Sequence, residues 1–271
     1  MNTQEIMKLA LELAELKRIP EDSAIYVKGE KLRKILVAID AGVPELLLAK
    51  QLEYDAVIAH HPQGGTAITN FHQVFRRHTQ QMVKAGIPKR EAEEAIKKKI
   101  KTLEVEGHMR NYSHAVEVAR LLKMPYMNIH TPLDEIGRRM MSTRIMERTD
   151  RKSRLSDVVA ALNELPEFRR ATTRIKIRIG KPETPAGKVA VSHGAGTNGG
   201  YDIAKTYFKH GIGTIVYIHI SPADLQKLQA ENQGNLIITG HIASDSVGIN
   251  PFIHMLENRQ ITIKRIGIVP D

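Results

Sequence analysis

At 271 residues, with 42% hydrophobic and 26% charged positions, the chain is long enough for one large or two modest globular domains with ample core. No apolar run approaches the roughly 18 residues of a membrane span. Cysteine is absent, which excludes disulfides and thiolate sites, so any metal must sit on nitrogen and oxygen ligands.

Residues 1–17 alternate Leu and Ile with Glu and Lys at helical spacing, which predicts an amphipathic helix over 2–17. A signal peptide would need an uninterrupted apolar centre, so the expected location is the cytoplasm. A turn at Ile19-Pro20-Glu21-Asp22 leads to a strand over 23–27. A second strand runs Lys34-Ile35-Leu36-Val37-Ala38-Ile39 into Asp40. Helix 43–52 follows, with Pro44 in its first turn. The strand Ala56-Val57-Ile58-Ala59 then ends at His60-His61, ahead of a small-residue loop at 63–66. Helices over 71–85 and 89–103, joined at Gly86-Ile87-Pro88, and a third over 112–123 precede the strand that ends at His130.

A second unit continues with a helix from Ser156, a half-exposed strand over 173–179, and a strand from Val189 into His193. After it come Gly194-Ala195-Gly196-Thr197-Asn198-Gly199-Gly200, helix 201–210, a strand into His219, and a strand 236–240 into His241. The order of strand, His, Gly-rich loop and helix after His193 echoes that after His60, as in a weak internal duplication. Continuous apolar runs of this length between helices read as buried strands of an α/β sheet.

Ligands of such sheets bind beyond the carboxyl ends of the strands. Here those ends repeatedly carry imidazole or carboxylate, which suggests a metal site. The turn at Pro62 can splay His60 and His61 toward two ions. His241-Ile242-Ala243-Ser244-Asp245 sets an imidazole and a carboxylate four residues apart, facing one point if a helix starts near Ala243. His130-Thr131-Pro132-Leu133-Asp134 repeats that spacing. Two such pairs plus His60-His61 supply six donors, about what two ions roughly 3.5–4 Å apart use.

His193 and His219 occupy the same rim, where they could donate protons, bind substrate or serve structure. The 194–200 loop could cradle a phosphate at the start of helix 201–210, or be a simple tight turn; it has neither the P-loop lysine nor a clean dinucleotide fingerprint. The six remaining histidines, at 72, 78, 108, 114, 210 and 254, fall on helices or loops without partners and receive no role. The net charge of +10 is clustered: residues 72–111 hold ten Lys/Arg against five Glu, 138–154 seven against two acidic residues, and 169–181 six against none. Such clustering reads either as a basic, solvated surface or as attraction for an anionic partner or substrate, such as an anionic small molecule. Nucleic acid is less favoured, because aromatic residues are only 4% and tryptophan is absent.

Asp55-Ala56-Val57-Ile58-Ala59-His60-His61-Pro62 resembles the His-His-Pro strand end of the Nif-three-like family, whose members are often labelled homologues of GTP cyclohydrolase one, type two. Ala38-Ile39-Asp40-Ala41 looks like that family's first strand. Ile129-His130-Thr131-Pro132-Leu133-Asp134 is similar to its His-Thr-Asn-Leu-Asp motif, and Thr239-Gly240-His241-Ile242-Ala243-Ser244-Asp245 to its late Gly-His-x-x-(Thr/Ser)-Glu motif. The resemblance implies a two-domain α/β fold, with mixed β-sheets flanked by helices and a dinuclear metal site between the domains. It implies His60, His61, Asp134, His241 and Asp245 as ligands, with His130 beside them, and a ring-shaped homohexamer built as a trimer of dimers. On that pattern the first domain spans 1–137 with 240–271, and the second 138–239.

Three departures stand out. Asp245 replaces the family's usual Glu and is one methylene shorter. Residues 72–111 look like a basic helical insertion, placed in sequence to cap the site. Ile218-His219-Ile220-Ser221-Pro222-Ala223 replaces the usual Gly-Glu and second His-His stretch.

The expected activity is that of a metal-dependent hydrolase with two divalent ions, drawn from zinc, iron, manganese, cobalt and nickel. A nucleotide, a phosphoester or a purine-type ring would be the substrate, with His130, His193 and His219 as candidate catalytic residues. The family label implies GTP ring opening, but no residue here selects guanine. Rival readings are a non-catalytic metal-binding regulatory or assembly protein, and a basic ring that binds nucleic acid.

Overall fold

A computed structural model describes all of residues 1–271. Helix α1 (Thr3–Leu13) is fixed by a reciprocal cap: Glu5 N–H donates to the Asn2 side chain, and Asn2 N–H donates to the Glu5 carboxylate. Strands β1 (Ala24–Val27) and β2 (Lys34–Ala38) follow, then α2 (Val43–Gln51), with its expected proline in the first turn, and β3 (Ala56–Ala59). The small-residue loop is partly helical, as α3 (Gly65–Thr69). The helix expected over 71–85 is broken into α4 (Phe71–Val74) and α5 (Arg77–Lys84), while α6 (Lys89–Met109) runs past its expected end.

Next come α7 (His114–Leu121), β4 (Tyr126–Asn128) and α8 (Thr131–Arg148). The remainder is α9 (Leu155–Leu162), α10 (Pro166–Arg170), β5 (Lys176–Ile179), β6 (Val189–Val191), α11 (Gly200–Lys209), β7 (Thr214–Tyr217), α12 (Pro222–Glu231), β8 (Asn235–Ile238), α13 (His241–Glu257) and β9 (Thr262–Ile266). No helix is long and apolar enough to cross a membrane.

The chain divides into two compact units, 1–74 with 101–136 and 248–268, and 75–100 with 137–247 and 269–271. Each is built on one mixed sheet. The first has strand order β1-β4-β3-β2-β9, antiparallel only between β1 and β4; the second has order β5-β8-β7-β6, antiparallel only between β5 and β8. Both sheets therefore follow one plan, in which the first strand lies antiparallel beside the fourth and the fourth, third and second run parallel. The duplication suspected from sequence is present in this order, but its pairing differs. By position in the sheet β3 matches β7, so the His60-His61 end corresponds to His219 and not to His193.

Packing explains which residues belong to which unit. In the first, Leu36, Ala38, Val57, Ala59 and Tyr126 bury one sheet face against Leu46, Ala49, Ala115 and Ala119 of α2 and α7, the three alanines letting helix approach sheet closely. In the second, Val216, Ile218 and Ile237 pack against Met141, Leu155, Leu162 and Phe168, and the start of α13 joins them through Ala243 and Val247. Residues 241–247 consequently go with the second unit, whereas the sequence pattern allotted all of 240–271 to the first.

The basic insertion also divides, because its 75–100 part is tied to the second unit by named bonds. Arg77 Nε donates to Gly194 O at 2.7 Å, His78 Nε2 to Thr197 O at 2.9 Å, and Gln81 Nε2 to His193 O at 2.5 Å. The Glu91 carboxylate accepts from Lys209 Nζ at 2.7 Å and lies 3.1 Å from His210 Nε2. His78, His210 and His254 therefore do have partners, the last in the Glu257 carboxylate at 3.2 Å.

His78 is fully buried, and burial pushes its pKa down from 6.5 to about 4. Between those two values the unfolded chain binds a proton that the native one refuses, so stability is complete above pH 6.5 and falls as pH drops toward 4. The loss is on the order of 3 kcal/mol. Urea unfolding of wild type and His78→Gln at pH 7 and pH 4.5 reads this: the substitution should abolish much of the difference between the two pH values.

Candidate metal centre

In the first unit β3 ends in a bend at His60-His61. His60 N–H donates to Ala38 O at 2.8 Å and His61 N–H to Ile39 O at 2.9 Å, so the bend that carries both residues is tied to the end of β2. His60 is buried and His61 half-buried. At the end of β4, His130 precedes α8, and its carbonyl accepts from Asp134 N–H at 3.1 Å in the helix's opening turn. That turn stacks the Asp134 carboxylate over the imidazole, 3.7 Å from Nε2.

The three rings cluster, with centroids 5.1 Å apart for His60 and His61, 4.9 Å for His60 and His130, and 5.6 Å for His61 and His130. Their candidate ligand atoms lie within 4.8 Å of one another. Two donors on one ion, each at about 2.1 Å, can stand no more than about 4.2 Å apart. The set therefore suits one ion after a small contraction, or two ions sharing ligands.

Hydrogen bonding sets the tautomer of each ring. His60 Nδ1 faces Ile129 O at 3.0 Å, His61 Nδ1 faces Asp40 Oδ1 at 2.7 Å, and His130 Nδ1 faces Asp22 Oδ2 at 2.7 Å. Carbonyl and carboxylate oxygens only accept, so every Nδ1 carries the proton and every neutral ring has its lone pair on Nε2. His60 Nε2 then meets Asp134 Oδ1 at 3.1 Å in the interior. Two electron-rich atoms held that close and away from water require a proton or a cation between them. A donor set of three Nε2 lone pairs and one carboxylate, each imidazole anchored through its far nitrogen, fits a divalent metal.

Asp22 is a site residue that the sequence reading missed. It is fully buried and accepts from Thr131 Oγ1 at 2.6 Å as well as from His130. It lies 108 positions from His130 and in no motif, so only the pairing of β1 with β4 reveals it. Tyr26 clamps the adjacent loop: its hydroxyl donates to Asn128 Oδ1 at 2.6 Å and accepts from Gln63 and Gly64 N–H at 3.2 Å each. Burial pushes its pKa up to about 12, so it stays a neutral donor.

In the second unit β8 is followed by Thr239-Gly240, and α13 opens at His241 itself, two residues before the expected start. Gly240 has φ of +104°, and a Cβ there would meet Thr173 Oγ1 at 2.7 Å, so the turn that aims His241 needs glycine. His241 Nε2 and the buried Asp245 Oδ2 are 3.4 Å apart, the geometry expected from their spacing. His219, at the end of β7, lies against His241 with ring centroids 4.5 Å apart. His193 is buried beside His78, where its charge would further disfavour protonation of that ring. The structure thus gathers His60, His61, His130 and Asp134 in the first unit, and His219, His241 and Asp245 in the second.

No protein-family model and no curated protein matches the chain. Among solved structures it is similar to a NIF3 superfamily protein from Sphaerobacter thermophilus, at 47% identity over 98% of both chains with a TM-score of 0.97. Reduced HcgD from Methanocaldococcus jannaschii aligns over 98% of this chain and 97% of its own, at 13% identity and TM-score 0.61. A Bacillus cereus protein related to NIF3 aligns over 100% and 98%, at 11% identity and TM-score 0.52. These two likenesses concern the fold alone.

Removing the anchor behind His130 tests the wiring. Asp22→Ala should weaken zinc binding about 10–100-fold, and Asp22→Asn, which keeps one acceptor, by less. Competition with a chromophoric chelator measures both, and equal affinity in all three proteins would contradict the assignment.

Proposed function

Because this chain belongs to the NIF3 superfamily, we propose that it is a dinuclear metal protein with hydrolase-like activity on a nucleotide, a phosphoester or a purine-type ring. The observation that carries the proposal is the common polarity of His60, His61 and His130, all anchored at Nδ1, with Asp134 set against Nε2 of both His60 and His130. His241 and Asp245 complete the ligand set in this reading, supplying the second imidazole–carboxylate pair. A divalent pair, when bound, supplies a water of lowered pKa and a Lewis acid at neutral pH.

The chain's own residues do the remaining work. Asp22, Asp40 and the Ile129 carbonyl hold the rings so that little reorganisation accompanies binding. Asp134 faces two imidazoles and offers one oxygen to each. Asp245 is a short carboxylate on a rigid helix, which narrows the range of metal spacings it can span. The clustered lysines and arginines attract the anionic part of a substrate.

Elemental analysis of untagged protein purified without chelator should find two equivalents of zinc, iron, manganese, cobalt or nickel per chain, falling in His60→Ala, His61→Ala and Asp245→Ala. Unchanged metal content in those variants would refute the site. A nucleotide and phosphoester screen with metal-loaded protein should show turnover that a chelator abolishes, whereas tight metal retention without turnover would leave a metal-binding protein and no hydrolase.

A self-assembling homohexamer is part of the same proposal. Leu47, Leu48 and Leu52 of α2 and its following residue, with Leu121 of the neighbouring α7, are exposed apolar side chains on one helical layer. Native mass spectrometry should give about six times the 30.4 kDa chain mass. Leu47→Glu with Leu121→Glu should lower that number, and a wild-type monomer would contradict it.

A further inference from the structure

We infer that His219 is a fixed hydrogen-bond donor to an oxyanion, most simply a phosphate oxygen, and not a metal ligand; its tautomer is set by Asn198. The inference rests on the metal-centre reading above for where the oxyanion would sit, but its geometry lies wholly within the second unit.

The assignment follows from one side-chain amide. Asn198 Oδ1 accepts from Gly200 N–H at 2.9 Å, which fixes the orientation of the amide group. The other end, Nδ2, therefore faces His219 Nδ1 at 2.9 Å. An amide nitrogen only donates, so His219 Nδ1 accepts, and the proton of the neutral ring sits on Nε2. Any hydrogen bond that this Nε2 makes is then a donation.

This is the reverse of the wiring in the first unit. There, fixed acceptors hold the protons of His60, His61 and His130 on Nδ1 and leave lone pairs on Nε2. The contrast matters because of sheet position. His219 follows β7, and β7 takes the place in its sheet that β3 takes in the other. Where one unit presents two imidazoles as electron-pair donors, the matching strand end of the second presents one as a proton donor.

Location gives the donor its use. The His219 ring lies 4.5 Å from that of His241, centroid to centroid, and is only half-buried. An N–H held beside a metal-ligand candidate, at a strand end, suits an anionic oxygen drawn to the same place. Asn198 belongs to the glycine-rich loop read from sequence as a phosphate cradle. On this account the loop acts through one side chain that orients His219, and Asn198 is a positioning residue.

Two readouts separate this inference from the metal reading. Long-range proton–nitrogen correlation spectra of histidine-labelled, metal-free protein report the His219 tautomer directly. The expected result is Nε2–H in wild type and Nδ1–H in Asn198→Asp, whose carboxylate can only accept. Inorganic phosphate is then titrated calorimetrically into protein as purified, with metal content measured in parallel. His219→Ala and Asn198→Asp should weaken phosphate about ten- to a hundredfold with metal content unchanged, and His219→Gln, which keeps an N–H, should recover most of it. An Nδ1–H tautomer in wild type, loss of a metal equivalent in His219→Ala, or equal phosphate affinity in wild type and His219→Ala would each overturn the proposal. Failure of His60→Ala to lose metal would overturn the metal reading while leaving the tautomer result standing.

Discussion

The candidate site depends on three hydrogen bonds at the far side of three imidazoles. An imidazole in water presents either nitrogen as donor or acceptor, and only a fixed partner removes the choice. Here the Ile129 carbonyl removes it for His60, the exposed Asp40 carboxylate for His61 and the fully buried Asp22 carboxylate for His130. The consequence is that the Nε2 lone pairs of His60 and His130 meet the Asp134 carboxylate in the interior, which is unfavourable unless positive charge is supplied. The fold holds the groups in place and leaves the charge to a ligand or a proton.

Sheet topology explains how such an array arises from ordinary α/β construction. Parallel strands end at one rim, and side chains that follow those ends stand near one another without special loops. Both units use the same strand order, each followed after its fourth strand by a helix that opens with His-x-x-x-Asp. The two units differ at the end of the third strand. His60-His61 keeps Nε2 lone pairs, while His219 is turned by Asn198 into an N–H donor. One architectural plan thus yields two chemistries through second-layer hydrogen bonds.

Much of this was legible in the sequence because strand ends are marked by composition. Apolar runs closing on His60, His130, His219 and His241 gave the rim, and the four-residue spacing gave the imidazole–carboxylate contacts at 3.7 and 3.4 Å. Local pattern could not reach further. Asp22 lies in a turn with no periodicity and meets His130 only through β1 pairing with β4. Helix α8 was unread because its apolar positions are interrupted by Arg138, Arg139 and Arg144, and its core side chains Met141 and Ile145 become obvious only against the second sheet. The echo between the His60 and His193 strands was mispaired because loop composition resembles loop composition, whereas strand order is a long-range property. Tautomers were beyond reach for the same reason.

Anomalous diffraction at the metal absorption edge, on crystals of protein purified without chelator, tests most directly whether a cation sits on Nε2 of these histidines. The account predicts an anomalous peak about 2.0–2.2 Å from Nε2 of His60, with an Asp134 oxygen in the same coordination sphere. A peak bonded to Nδ1 of these histidines, or no peak beside them while the metal binds elsewhere on the chain, would contradict it.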